Sequence, residues 1–247
     1  MELDDYFREN NKAALAFSGG ADSAYLLWAG LSAGADIRPY YARSAFQPEF
    51  ELRDAKRLCK ELGIGLCVID IDVLSVPELT ANGSLRCYYC KRLMFSELAE
   101  RAKHDGYTLL IDGTNASDAY DDRPGMRAKD ELSVSSPLRL CGITKDRLRE
   151  LSREAGLFTW DKPSYSCLAT RIPSGESIER DKLKRIEKGE SILFSMGFSD
   201  FRLRFSDGKA LLYVCAEELE KANNIFEDIN EKLKPYFSSA EIELRCR

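Results

Sequence analysis

Residues 13–35, AALAFSGGADSAYLLWAGLSAGA, place an apolar run, a glycine turn and an amphipathic run in direct succession. AALAF (13–17) reads as a short buried strand. SAYLLWAGLSAGA (23–35) carries apolar residues at helical spacing as far as Gly34, so the stretch is strand, loop, helix. Gly19 and Gly20 permit positive φ and close backbone approach to a ligand. The amides at the start of the following helix form a concave donor set suited to an anion. Ser18 and Ser23 add hydroxyls, and Asp22 is placed to cap the helix or to meet a metal ion. A phosphate is the natural guest, although neither a Walker loop nor a G-x-G-x-x-G fingerprint is present. The plainer alternative is a glycine-rich turn with Asp22 as its cap.

The same alternation continues. DIRPYYA (36–42) reads as a strand, PEFELRDAKRLCKELG (48–63) as a helix with Pro at its start and Gly at its end, and IGLCVIDID (64–72) as a third strand. CYYCKRLMFSELAERAKHDG (87–106) is helical and YTLLIDG (107–113) supplies a fourth strand. Strand and helix in alternation give an α/β fold, a doubly wound parallel sheet with its sites at the carboxyl ends of the strands. From about Ser164 the texture changes. SYSCLATRIPSGES (164–177) is a loop of small and turn residues, followed by a charged helix. FRLRFSDGKALLYV (201–214) then alternates around an Asp207–Gly208 turn, as a hairpin does. A last helix, AEELEKANNIFEDINEKLKPYF (216–237), and a strand, AEIELR, complete a smaller α+β module. The expected division is residues 1–162 and 163–247.

Composition narrows the function. With 247 residues, 44% hydrophobic and 31% charged, the chain has the make-up of a globular protein with room for one large domain and an appendage. A net charge of −5 argues against a protein built to grip polyphosphate backbones, so no nucleic-acid partner is expected. In ERDKLKRIEK (179–188) acids alternate with the bases, which reads as a solvated helix face. The acidic start MELDDYFREN and the short, charge-interrupted apolar stretches suggest a cytoplasmic chain without membrane spans. Eight cysteines in that setting are expected to be reduced. Cys59, Cys67, Cys141 and Cys215 sit among apolar neighbours as small buried hydrophobes, and Cys246 lies in the tail. Cys87, Cys90 and Cys167 remain. The single histidine, His104, reads as a surface residue at a helix end.

SGGADS (18–23) and DGTNASD (112–118), the second directly after the fourth strand, resemble the two hallmarks of the PP-loop ATPases. The resemblance implies cleavage of ATP between its α and β phosphates, with AMP kept on the substrate and pyrophosphate released. Within that superfamily, RCYYCKR (86–92), SYSCLATRIPSG (164–175) and FRLRF (201–205) resemble the LarE family, sulfur transferases of the nickel-pincer nucleotide pathway that serves lactate racemase. The likeness runs through nearly the whole chain. It implies that Ser18, Gly19, Gly20, Asp22 and Ser23 hold ATP phosphates with Mg²⁺, and that Gly113, Thr114 and Asn115 complete the nucleotide pocket. It also implies that Arg202, Arg204 and a glutamate, matched to Glu190 in preference to the nearby Glu187, bind the phosphate of a pyridinium mononucleotide. A homo-oligomer is implied as well. The chemistry is consistent: a carboxylate is a poor acceptor for sulfur, whereas an acyl-adenylate carries a stabilised leaving group.

Cys87 and Cys90 are spaced to share a metal centre, yet a structural zinc site takes four ligands and no second C-x-x-C or partner histidine accompanies them. With Cys167 they make three thiolates, a set suited to a [4Fe-4S] cluster with one iron open for an extra sulfide. The resembled family contains members with such a cluster and members that sacrifice a cysteine sulfur and become dehydroalanine. Cys167 is expected in a flexible loop near Arg171, a cation that lowers a thiol's pKa. Three other readings stay open: a tRNA thiolase and an ammonia-using amidoligase of the same superfamily, and a non-catalytic nucleotide-binding or zinc-stabilised module. A pair of cysteines flanking two tyrosines on a buried helix is the structural alternative for Cys87 and Cys90.

Overall fold

The apolar run at residue 13 becomes a strand covered on both faces: Ala13, Ala14 and Leu15 have no exposed surface. Such continuous burial is what a parallel sheet with helices on its faces demands. The computed structural model describes residues 1–118, 124–206, 209–237 and 239–246. The chain forms two compact units, Met1–Asp72 with Cys87–Ser164, and Val73–Arg86 with Tyr165–Arg247. No helix among the described residues is long and apolar enough to cross a membrane.

The elements run α1 (Leu3–Glu9), β1 (Lys12–Ala16), α2 (Ala21–Ser32), β2 (Asp36–Arg43), α3 (Glu49–Glu61), β3 (Cys67–Asp70), α4 (Pro77–Thr80), α5 (Arg86–His104) and β4 (Leu110–Asp112). They continue as α6 (Pro124–Glu131), α7 (Pro137–Leu140), α8 (Lys145–Glu154), α9 (Arg180–Ser195), β5 (Phe201–Ser206), β6 (Lys209–Val214), α10 (Ala216–Asn224), α11 (Phe226–Leu233) and β7 (Ser239–Cys246).

In the first unit the four strands stand in the order β3-β2-β1-β4, all parallel. The chain moves outward from β1 to β3, then returns to the other side of β1. This makes the gap between the carboxyl ends of β1 and β4 the switch point, where an open α/β sheet takes its ligand. Ala16 is paired with Asp112, so the glycine turn after β1 and the DGTN segment after β4 leave the sheet side by side. Helix α2 is apolar around most of its circumference and buried accordingly. Its Leu26 and Leu27, with Leu15, Ile37, Leu58 and Leu148, lie in one hydrophobic cluster.

Gly113 is where the two segments touch. A Cβ built there would stand 2.8 Å from the backbone nitrogen of Ser23 and 3.2 Å from its Cα. Backbone cannot swing aside as a side-chain tip can. Gly113→Ala is therefore expected to cost about 1–3 kcal/mol, the usual penalty for overpacking, and to part the glycine turn from the DGTN segment. Thermal unfolding checks it, and an unchanged midpoint would mean that the segments separate freely.

In the second unit a sheet of order β5-β6-β7 pairs β5 and β6 antiparallel and β6 and β7 in parallel. Ser206 pairs with Lys209, as a hairpin requires. The expected Asp207–Gly208 turn itself lies outside the described residues. The expected single last helix is two, α10 and α11. Ile225 between them leaves helical geometry at φ −118° and ψ 23°, directly after Asn223 and Asn224, residues that support a helix poorly.

Candidate functional site at the switch point and the Cys167 loop

The glycine turn is closed on itself by its two serines. The Ser18 and Ser23 hydroxyls are 3.0 Å apart, the Ser18 amide donates to Ser23 Oγ, and the Gly20 amide donates to Ser18 Oγ at 3.2 Å. Gly19 has φ +73°, the left-handed region, and a Cβ there would press on the backbone of Glu51 and Ala55 at 3.0–3.1 Å. Glycine is required at that position on both counts. Gly20 stands at the N-cap of α2 and, lacking a side chain, donates no cap. No side chain caps that helix end, which has the donor character that suits an anion.

Asp22 is not the cap. Its Oδ1 accepts from Asn115 Nδ2 at 2.8 Å and its Oδ2 from Lys145 Nζ at 2.5 Å. The two sequence segments thus meet side chain to side chain. Asn115 is 4% exposed and is fixed in turn: its amide donates to Asp118, and its Oδ1 accepts from the Ser117 amide. Thr114 donates through both its amide and its hydroxyl to Asp112, the last residue of β4. Asp112 accepts from Ser136, which accepts from the buried Lys129 at 2.7 Å. Burial pushes the Lys129 ammonium below its ordinary pKa, with Asp112 pulling it back. Lys162 reaches the turn from the end of the unit, bonding Asp54 at 2.6 Å and the Gly19 carbonyl at 3.3 Å.

Lys145, Lys129 and Lys162 were invisible as site residues in the sequence. Only Lys145 left a local trace. It is the first residue of α8, behind the Thr144 N-cap, the helix end where a cation is disfavoured by the backbone dipole. A carboxylate on another segment accounts for it.

The second unit holds Cys167. It precedes a 3-10 turn over Leu168–Arg171, and its carbonyl accepts from the Thr170 amide and hydroxyl. The expected flexible loop is thus a hydrogen-bonded turn. Arg171 is used differently from the expectation as well. It is 1% exposed and pairs with the equally buried Glu190 at 2.7 Å, while its Nη1 bonds Ser166 and Thr170. The Arg171 charge is matched by a carboxylate, and its effect is to pin the turn. Glu190 also accepts from the Tyr165 hydroxyl and from the Leu203 amide. Its oxygens tie the Cys167 loop to β5. On β5, Leu203 points into the core between Arg202 and Arg204, so both arginines share the other face. The Arg202 guanidinium lies 5.6 Å from the Tyr165 ring and that of Arg204 4.9 Å from Tyr213.

Cys87 is exposed and Cys90 half-buried on the first turns of α5, three residues apart on one helix face. They belong to the first unit and Cys167 to the second. Among the described residues no group of three or more His, Cys, Asp or Glu forms a set that holds a metal ion. Of the cysteines read as hydrophobes, Cys59 is buried and its thiol is pushed up to about 11, whereas Cys67, Cys141 and Cys215 are only half-buried. Burial raises Cys141 and Cys215 as well.

No family model matches the sequence. Among curated proteins, the chain is similar to an uncharacterized protein of Synechocystis sp., 34% identical over 222 residues that span 89% of this chain and 82% of that one. An uncharacterized protein of Methanocaldococcus jannaschii is 32% identical over 230 residues, 92% of this chain and 87% of its own. A third relative is the pyridinium-3,5-bisthiocarboxylic acid mononucleotide synthase of Lactiplantibacillus plantarum, 30% identical over 200 residues that cover 80% of this chain and 72% of that enzyme. At that identity and coverage, with the glycine turn and the DGTN segment joined at the switch point, the chain belongs to the LarE family.

Proposed function

We propose that this protein is an ATP-dependent sulfur transferase that converts carboxylates of a pyridinium mononucleotide into thiocarboxylates. A substrate carboxylate oxygen attacks the α-phosphorus of ATP, the bond to the β-phosphate breaks, and pyrophosphate leaves. A sulfur nucleophile then attacks the acyl carbon and AMP departs. The observation that carries this reading is the Asp22–Asn115 hydrogen bond, which supports one nucleotide site built from both segments. Ser18, Gly19, Gly20 and Ser23 surround the phosphates, and Gly113, Thr114 and Asn115 close the pocket. Asp22 would hold Mg²⁺, which would supply charge neutralisation for the departing pyrophosphate, and Lys145 pairs with the same carboxylate. Arg202 and Arg204 receive the acceptor's phosphate. Glu190 serves them from behind, by fixing β5 and Tyr165.

Cys87, Cys90 and Cys167 deliver the sulfur. Cys87, Cys90 and Cys167 would be the three ligands of a [4Fe-4S] cluster, which would supply an open iron for an extra sulfide; the reading rests on the cysteine motifs of the sequence. Iron and sulfide analysis of anaerobically purified protein checks this assignment.

The test of function is formation of AMP and pyrophosphate with three acceptors supplied separately: the pyridinium biscarboxylate mononucleotide, tRNA and ammonia with a carboxylate. Turnover with the first alone, yielding a thiocarboxylate by mass, is the expected result, and turnover only with tRNA or ammonia would overturn it. In the same assay Asp22→Asn is expected to slow pyrophosphate formation about ten- to a hundredfold with the fold retained, from loss of one charge-assisted contact. Arg202→Ala is expected to weaken acceptor binding about tenfold or more while ATP affinity holds. Equal acceptor affinity in that variant would mean that the arginine face meets solvent.

A further inference from the structure

The segment Val73–Arg86 leaves the parallel-sheet unit and joins the second one. What it does there is specific. Asn82 is 1% exposed and has φ +54°, a backbone region that asparagine tolerates better than most residues. Its Nδ2 donates to the carbonyls of Ile172 and Pro173 at 3.2 and 2.7 Å, and its own carbonyl accepts from the Gly175 amide and the Ser174 hydroxyl. Its Oδ1 accepts from Arg86 Nη1, which also donates to the Ala169 carbonyl at 3.0 Å. The Ile178 amide donates to the Thr80 carbonyl. Apart from the bond that joins Arg86 to Asn82, each of these grips the stretch 169–178, which begins two residues after Cys167. The Arg171–Glu190 pair holds the same turn from its inner side.

We propose that Asn82 and Arg86 are positioning residues for Cys167: a clamp that holds the cysteine's turn in one conformation for sulfur delivery. The proposal rests on the reading of Cys167 as a sulfur-carrying residue. Its chemistry is geometric, since a nucleophile or ligand held in place avoids the entropy of finding its orientation in each cycle. Asn82 supplies two donors and two acceptors where the chain turns back, and Arg86 makes the clamp charge-assisted. Arg86 also directly precedes Cys87 in the chain, so one residue ends the clamp and begins the helix of the cysteine pair.

The experiment is pulse alkylation of the full chain with iodoacetamide, without added iron, read by peptide mass spectrometry at Cys167 and, as internal reference, at Cys215. Arg86→Ala and Asn82→Asp are expected to speed Cys167 labelling about tenfold relative to Cys215, as local opening follows loss of the clamp bonds. Arg86→Lys should restore part of the protection. ATP affinity is expected to stay at the parent value while thiocarboxylate formation falls, a split that general unfolding would not give. Asn82→Asp keeps the acceptor and the tolerated φ, so a folded variant is at hand should Asn82→Ala fail to fold. Unchanged Cys167 labelling in folded Arg86→Ala and Asn82→Asp would overturn the clamp. Faster labelling in a chain whose parent makes no thiocarboxylate would leave the clamp standing and remove the sulfur reading instead.

Discussion

Cys167→Ala is expected to abolish thiocarboxylate formation outright while acyl-adenylate still forms, so that pyrophosphate appears without thiolated product. The alanine keeps the Cβ and all backbone bonds of the turn, including the Cys167 carbonyl that accepts from Thr170, and so removes sulfur without removing structure. The parent protein then separates the two sources of sulfur. If Cys167 is sacrificed, its Cβ–Sγ bond breaks, the sulfur leaves with the product, and the chain becomes lighter by about 34 Da, a covalent loss outside the usual cysteine oxidation ladder. If a cluster carries the sulfide, the chain mass is unchanged over many turnovers. In that case Cys87→Ala and Cys90→Ala are as damaging as Cys167→Ala. Cys87 is exposed, and the half-buried Cys90 donates its thiol to Met94 Sδ at 3.6 Å, so thermal unfolding of each variant separates a lost ligand from lost packing. Quantitative dehydroalanine at position 167 in iron-reconstituted protein would rule the cluster out. Continued thiolation by Cys167→Ala would rule out both routes.

The second large effect is on stability. Arg171→Met leaves the Glu190 carboxylate buried with its cation gone, and the expected loss is about 3–5 kcal/mol, the usual cost of breaking a buried pair from one side. For a chain of this size, that lowers the thermal midpoint by roughly 10 °C. Glu190→Gln is expected to be milder, because its one carbonyl oxygen still accepts from the Leu203 amide, although Tyr165 loses its acceptor and Arg171 its counter-charge. The paired replacement Arg171→Met with Glu190→Leu removes both charges and should recover part of the loss, leaving the Leu203 amide as the residual penalty. A midpoint within 2 °C of the parent for Arg171→Met, an allowance of about 1 kcal/mol, would mean that solvent reaches the pair.

The α/β class was legible because a parallel sheet buries its strands on both faces and so writes short continuous apolar runs between amphipathic helices. The glycine turn was legible because left-handed backbone and close approach leave few residue choices at a position such as Gly19. The break at Ile225 was harder to read. The surrounding pattern stays helical and amphipathic on either side of it, and only the weak propensities of Asn223 and Asn224 mark the place. The sequence shows Arg171 as a cation near a thiol and Glu190 as a match for a phosphate-binding glutamate, but it shows charge without showing burial. In the fold each is the other's partner.

What the sequence determined by itself is therefore local: the strand–loop–helix that opens the sheet, the two segments that resemble a nucleotide loop, the cysteine spacing, and the two arginines on one face of a strand. These follow from backbone sterics and from periods of 2 and 3.6 residues, which act over a few neighbours. The tertiary structure alone decided which charges meet. Lys145 lies 123 residues from Asp22 in the chain, and Asn82 lies about ninety from the turn that it grips. Pairings of that kind depend on strand order and on where a segment such as Val73–Arg86 crosses into another unit, and no period or propensity along the chain encodes them.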